Sequence, residues 1–211
     1  MIGDRLVIEP YLTERAHEFC VELRESLKGK YTITVAGESG AGKSELAFEI
    51  ARILNETGIP SDILQQDDYF VFPPKTNHEM RRHNINQVGP YEVKLDFLDS
   101  NLRSFKRSES PIYKPLVIFD EDRITTEEMD TVELSILIAE GTYTSLLKFS
   151  DYRIFIDRDY NQTLEARKKR ARDKFDAFML DVLEREHRII SQHISLADAV
   201  VLSDFETINY R

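Results

Sequence analysis

The strongest constraint on this chain is the stretch VAGESGAGKS at residues 35–44. It ends the β-branched run YTITVAG and leads into KSELAFEIARILNETG, where apolar residues recur at helical spacing. Gly37 and Gly42 allow backbone N–H groups to approach an anion, and the start of a helix presents its positive dipole end to the same anion. The sequence therefore predicts a strand–loop–helix unit that binds phosphate.

The loop matches the pattern G-x-x-x-x-G-K-[ST], in which each residue type has a physical role. Lys43 can reach the β- and γ-phosphates of a nucleotide, and the Ser44 hydroxyl can ligate Mg²⁺. The residues expected to bind the nucleotide are Gly37, Glu38, Ser39, Gly40, Ala41, Gly42, Lys43 and Ser44.

Strands and helices alternate along the chain, and most predicted strands are continuously apolar. That pattern is typical of a parallel sheet covered on both faces. We expect a three-layer α/β/α P-loop NTPase fold with a mostly parallel sheet, as one domain over residues 1–211. An N-terminal helix (about 1–29), a polar acceptor-side insertion (about 70–93), and lid and C-terminal helices (about 161–195) would extend it.

The composition of the chain limits the kinds of partner that it is expected to bind. The formal net charge of −10 disfavours nucleic acid or an anionic membrane as the main partner. The single cysteine, Cys20, excludes an intramolecular disulfide and fits a reducing, cytoplasmic setting. No apolar run suggests a signal peptide or a membrane span. Exposed helices could pair with those of a second copy, so a homo-oligomer is one of the possible states.

Two acids end the strand predicted after the loop's helix. Asp67 and Asp68 lie in DILQQDDYF, at the sheet edge where open α/β folds bind ligands. An aspartate there could accept the proton of an attacking hydroxyl, or orient that hydroxyl. The alternative is an acid that caps a turn, since aspartates are common just after strands.

Glu140 closes the hydrophobic strand LSILIAEG. An acid at that position can hold Mg²⁺, directly or through water, opposite Ser44. A capping acid is again the alternative.

Two basic segments stand out in an acidic chain. ARKKRARDK contains Arg167, Arg170 and Arg172, and such arginines can close over a nucleotide and stabilise a transferring phosphoryl group. A solvated basic face is the ordinary alternative. Arg81 and Arg82 in EMRRHN either contact an acceptor or lie on the surface. The five histidines show no metal-binding spacing, and we interpret them as surface or packing residues.

The ordered segments GESGAGKS, QQDDYF, PIYKP, ILIAEGTY and DYRIFIDRDYNQTLEARKKRARD resemble the uridine kinase and phosphoribulokinase group of small-molecule kinases, over roughly residues 31–202. The resemblance implies ATP as donor with Mg²⁺ and a small hydroxylated acceptor. The resemblance also implies roles for individual residues. Asp67 would be the general base, Tyr69 and Tyr113 would shape the acceptor site, and Glu140 would lie on the metal side. Of the arginines of a lid, Arg167 and Arg170 would take part in catalysis and Arg172 would bind the nucleotide.

The acceptor-reading segments depart from that group. Lys114 follows the tyrosine where uridine kinases usually carry an aspartate, and Ile118 stands further on, where they carry a histidine. Of the acids in the altered segment YEVKLDFLD, Asp96 is the nearest match to the family's second acid.

The leading hypothesis is a kinase for a nucleoside- or sugar-like hydroxyl compound. Lys75, Arg81 and Arg82 would suit an acceptor that carries a phosphate or carboxylate. A regulatory P-loop ATPase with slow hydrolysis is the alternative from another class. A polynucleotide or peptidoglycan-sugar acceptor is a third reading.

Overall fold

A computed structural model describes residues 6–163 and 176–211. Its central sheet contains β1 (Tyr31–Gly37), β2 (Ser61–Gln65), β5 (Ile136–Glu140), β6 (Tyr152–Ile156), β7 (Ala199–Val201) and β8 (Ile208–Tyr210). The strand order is β2-β5-β1-β6-β7-β8, and every pairing is parallel except that of β7 with β8. The two remaining strands, β3 (Ile112–Ile118) and β4 (Arg123–Met129), form a separate antiparallel hairpin.

Helices cover both faces of the sheet. The described helices are α1 (Pro10–Ser26), α2 (Lys43–Glu56), α3 (Pro74–His83), α4 (Leu95–Lys106) and α5 (Ala177–Ile190). Apolar side chains of α1 and α2 pack with Ile33 and Val35 of β1 in one buried cluster. Those of α4 pack with Leu137 and Phe155 in a second cluster. The predicted three-layer α/β/α architecture is confirmed.

Parallel pairing brings the carboxyl ends of four neighbouring strands to one edge. Val35 of β1 and Gln65 of β2 both lie beside Glu140 of β5, and Gly37 lies beside Ile156 of β6. The phosphate loop, the segment containing Asp67, and Glu140 therefore leave the sheet at the same edge. Open α/β sheets bind their ligands at such an edge.

The structure contains local elements that the sequence did not predict. The polar insertion contains a helix, α3, which begins at Pro74 because proline is favoured in a first helical turn. The segment TYTSLLKFS contains a 3-10 turn, Thr144–Leu146. Strand β8 was not predicted. Residues 110–131 contain the β3–β4 hairpin.

None of the helices in residues 6–163 and 176–211 has the length and hydrophobicity of a membrane span.

Candidate active site

The phosphate loop passes tightly between β1 and α2. At Gly37 φ is +151°, and a Cβ would lie 2.8 Å from the carbonyl oxygen of Ile156. No other residue type fits that backbone and that space without displacement. The loop ends at Gly42, the N-cap of α2, so Lys43 and Ser44 occupy the first turn of the helix. Residues 37–44 thus frame the positive end of α2.

The Lys43 side chain is buried and folds back across the loop. Its Nζ donates a hydrogen bond of 2.9 Å to the backbone oxygen of Glu38. The Ser44 side chain forms a hydrogen bond with the Glu140 carboxylate. Both side chains therefore reach the edge at which Asp67 and Glu140 lie, and the Lys43 charge acts on both acids.

Glu140 is 5% exposed. Burial raises its pKa to about 7, the neighbouring Asp67 contributes to the rise, and Lys43 and Ser44 oppose it. When neighbouring groups balance the charge of a buried carboxylate only in part, binding of a cation beside it is favourable. A hydroxyl and a carboxylate together offer the oxygen ligands that hard cations such as Mg²⁺ prefer. Mg²⁺ in nucleotide sites usually takes only one or two protein oxygens beside phosphates and water. Ser44 and Glu140 fit that ion.

The two adjacent aspartates point to different partners. Asp68 is buried, and its carboxylate accepts hydrogen bonds from the backbone nitrogen of Val117 (2.9 Å) and from Nζ of Lys114 (3.4 Å). It fastens the end of β2 to the hairpin. Asp67 is partly exposed; desolvation raises its pKa, and the Lys43 ammonium counteracts that rise. Asp67 is therefore the acid of this pair that faces the phosphate loop.

A close contact joins the segment of Asp67 to that of Glu140. The Gln66 side-chain oxygen accepts a hydrogen bond of 2.7 Å from the backbone nitrogen of Tyr143. Gly141 has φ of +156°, and a Cβ there would lie 2.2 Å from Cβ of Gln66. Gly141 thus lets the two acidic segments approach each other, a requirement not predicted from the sequence.

Gly141→Ala is expected to cost about 2 kcal/mol or more in the free energy of unfolding, because both the backbone conformation and the overlap with Gln66 are unfavourable. Displacing Gln66 should also reduce turnover. Chemical denaturation and initial rates measure the two effects. Gly58→Ala is the matched control, since Gly58 has φ of +80° but a Cβ added there would meet no atom within 4 Å. Equal losses in both variants would contradict the overlap argument.

The predicted acceptor residues lie in different surroundings. Tyr69 is fully buried, and its hydroxyl accepts a hydrogen bond of 2.8 Å from Asn101. Tyr113 is 55% exposed on β3 and contacts Glu128. Arg81 pairs with two glutamates, while Arg82 pairs with Asp176 and lies over the ring of Phe178. Their roles toward an acceptor stay predictions.

The three lid arginines, Arg167, Arg170 and Arg172, lie outside the described residues.

Histidine contacts were missed by the sequence analysis. His187 Nδ1 of α5 lies 2.5 Å from the Glu38 carboxylate of the phosphate loop, and His193 Nδ1 lies 3.0 Å from the Ser145 hydroxyl. Each contact joins segments at least 48 residues apart, and no local spacing pattern encodes it.

A phosphate loop at the edge of a parallel sheet, with acids ending two neighbouring strands, defines a P-loop nucleotide-binding kinase fold. The chain belongs to the phosphoribulokinase / uridine kinase family, whose model matches residues 32–177. The predicted resemblance is thereby confirmed, and the chain belongs to a family of kinases.

Two similar proteins and one solved structure are consistent with this family. The chain is 26% identical over 207 residues to a bifunctional alpha-galactosidase/sucrose kinase, AgaSK, of Mediterraneibacter gnavus; the match covers 92% of this chain and 22% of that protein. It is 27% identical to a uridine kinase of Leuconostoc citreum over 80% of this chain and 85% of that one. The structure of a possible uridine kinase from Bacillus stearothermophilus shares the fold, with a TM-score of 0.64 and 19% identity over 90% of this chain and 98% of that chain.

Proposed function

We propose that the protein transfers the γ-phosphate of ATP to a hydroxyl of a small nucleoside- or sugar-like acceptor, with Mg²⁺. The observation that carries the proposal is the convergence of Asp67, Glu140, Lys43 and Ser44 at one edge of the sheet. Two of the relatives are named for kinase activity on sucrose or uridine, which are neutral hydroxyl compounds.

Each residue has a role in this proposal. The loop N–H groups, the helix end and Lys43 bind the phosphates of ATP and stabilise charge on the transferring group. Ser44 and Glu140 would hold Mg²⁺, which supplies positive charge against the phosphate oxygens. Asp67 orients the acceptor hydroxyl and accepts its proton. Most of the rate enhancement would come from positioning and charge stabilisation.

The proposal also includes the cellular compartment. A reducing, cytoplasmic setting is proposed because Cys20 is unpaired and buried in the core.

The direct test is ADP release from Mg²⁺ and ATP against a panel containing nucleosides, sugars, pentose phosphates, pantothenate and glycerate. We expect one group of acceptors to raise ADP release far above the basal rate. If the protein binds ATP tightly but no acceptor raises ADP release, the result would favour the regulatory P-loop ATPase instead.

A further inference from the structure

The phosphate loop makes a side-chain contact that the proposed mechanism does not use. Glu38, the second residue of the loop, is 6% exposed, and its carboxylate lies 2.5 Å from Nδ1 of His187 on α5. An ionised carboxylate can only accept a hydrogen bond, so Nδ1 of His187 is the donor when Glu38 is charged. A histidine 149 positions away in the chain is therefore hydrogen-bonded to the loop that is proposed to bind ATP.

The main chain of Glu38 holds other parts of the same loop. Its backbone oxygen accepts a hydrogen bond of 2.9 Å from Nζ of Lys43 and one of 3.1 Å from the backbone nitrogen of Ala41. Glu38 thus faces His187 with its side chain and the Lys43 ammonium with its main chain. Because a rotation of the Glu38 backbone would move the acceptor of both bonds, the orientation of this residue affects the shape of the loop.

A carboxylate in an anion-binding loop interferes with phosphate binding unless it is held elsewhere. Carboxylates and phosphates are both attracted to a lysine ammonium and to the N–H groups at the start of a helix. A released Glu38 side chain could therefore occupy groups that ATP needs, or repel its phosphates. Burial raises the pKa of Glu38, while its contact with His187 and a hydrogen bond from the backbone N–H of Tyr160 oppose that rise. These two contacts compensate the carboxylate in its present position.

Contacts outside the phosphate loop fix the position of His187. The ring of Tyr160 packs edge-on against the imidazole, with 5.6 Å between the ring centroids. The preceding residue of α5, Glu186, pairs with Arg81 at 3.2 Å. Ile190, nearly one turn further along α5, is fully buried in the core. The helix therefore presents an imidazole whose place is set before the Glu38 contact is made.

Resting on the proposed binding of ATP, we infer that His187 is a positioning residue for the phosphate loop. It holds the Glu38 carboxylate away from the phosphates of ATP and keeps the Glu38 backbone in the conformation that binds them. His187 itself does not touch the nucleotide. Its contribution is to the affinity for ATP and is made through Glu38.

The first test replaces the imidazole in two ways. His187→Leu keeps an apolar bulk but has no donor, whereas the amide N–H of His187→Asn can take the place of Nδ1. The Kd for ATP with Mg²⁺ is measured by calorimetry, which needs no acceptor. We expect it to rise about tenfold in His187→Leu, the lower end of what a hydrogen bond to a charged group contributes. His187→Asn should recover most of the affinity, although it carries no charge.

Arg188→Leu is the matched control, because Arg188 is the next residue of α5, is exposed and pairs with Glu184. It removes a positive charge beside His187 and should leave the Kd for ATP unchanged. A His187→Leu variant with a lower Tm but the parental Kd would show a purely structural role and refute the inference alone. An equal rise of the Kd in both leucine variants would also refute it. A parent protein that bound no ATP would overturn the proposed function together with the inference.

The second test asks whether His187 acts through Glu38. Glu38→Ala removes the carboxylate but keeps the backbone N–H and C=O groups of the loop. His187→Leu should raise the Kd for ATP about tenfold in the parent and leave it unchanged in the Glu38→Ala background, where the contact is already absent. The same rise in both backgrounds would mean that His187 acts by another route, and the inference would be wrong.

Discussion

Turnover by an Asp67→Asn variant is expected to fall by about 10²- to 10⁴-fold, the usual contribution of a positioned general base. The amide keeps the shape of the side chain but accepts a proton far less readily. The phosphate loop is untouched, so the KM for ATP should stay near that of the parent. Thermal stability at neutral pH should not fall, because the variant removes a carboxylate whose pKa is raised by desolvation. Steady-state kinetics with saturating acceptor measure the change in kcat.

The pH profile gives a second readout for Asp67. Desolvation raises the pKa of this carboxyl above its ordinary value. Activity of the parent should therefore decline on the acid side nearer to neutrality than an ordinary aspartate would give, because the protonated form cannot accept the hydroxyl proton. In Asp67→Asn the contribution of Asp67 to the acid limb should be lost, and the limb that remains should follow the titration of Glu140, whose pKa burial raises to about 7.

Asp68→Asn is the matched control for this prediction. Asp68 accepts hydrogen bonds from Val117 and Lys114 in the interior, so its loss should cost about 1–3 kcal/mol of stability. Turnover should change far less than in Asp67→Asn. If Asp67→Asn kept comparable activity, or if Asp68→Asn lost the larger share of kcat, Asp67 would not be the base.

The sheet and its phosphate loop could be predicted because their determinants are local. Glycine positions, a β-branched strand and the start of an amphipathic helix lie within about 25 consecutive residues, and each acts through the backbone. Parallel pairing then places Glu140 beside Val35 and Gln65 without any side-chain detail. The family resemblance rested on the same short segments, and the family match confirms it.

The surroundings of the acceptor could not be predicted in this way. The sequence showed Arg81 and Arg82 as two cations in a polar insertion. Arg81 pairs with Glu92 inside that insertion, but each arginine also pairs with an acid far along the chain. Arg81 pairs with Glu186, which is 105 residues away, and Arg82 pairs with Asp176, which is 94 residues away. Only tertiary structure brings such partners together, and it gives each of these arginines a carboxylate partner that no local pattern shows.

Position in the sequence alone left Asp67 and Asp68 both as candidates, for a related reason. Adjacent residues after a strand point in different directions, and position alone leaves both as candidates. In the structure, Val117 and Lys114 of the hairpin engage Asp68, which supports Asp67 as the proposed base. The family resemblance had favoured Asp67, and the geometry supplies an independent physical argument for the same residue.

Glu140→Gln should reduce turnover about a hundredfold or more and, at the same time, stabilise the protein without nucleotide. Burial raises the pKa of Glu140 from its ordinary value of 4.5 to about 7, so the unfolded chain releases this proton first as the pH rises. The penalty is absent below pH 4.5, grows between pH 4.5 and 7, and reaches about 3 kcal/mol above that range, at about 1.4 kcal/mol per unit of pKa. The loss of the hydrogen bond from Ser44 offsets part of this gain.

Thermal unfolding of parent and variant between pH 5 and pH 8 checks the prediction, with and without Mg²⁺ and a non-hydrolysable ATP analogue. The variant's advantage in Tm should widen as the pH rises without nucleotide. It should narrow or reverse with Mg²⁺ and the analogue, because a bound cation stabilises the ionised carboxylate of the parent. The exposed Glu133, just before β5, provides the control variant Glu133→Gln, which should match the parent throughout. A Tm difference that is independent of both pH and Mg²⁺ would mean that Glu140 is neither strained by its burial nor involved in holding the ion, and the metal-side role would then have to pass to another acid.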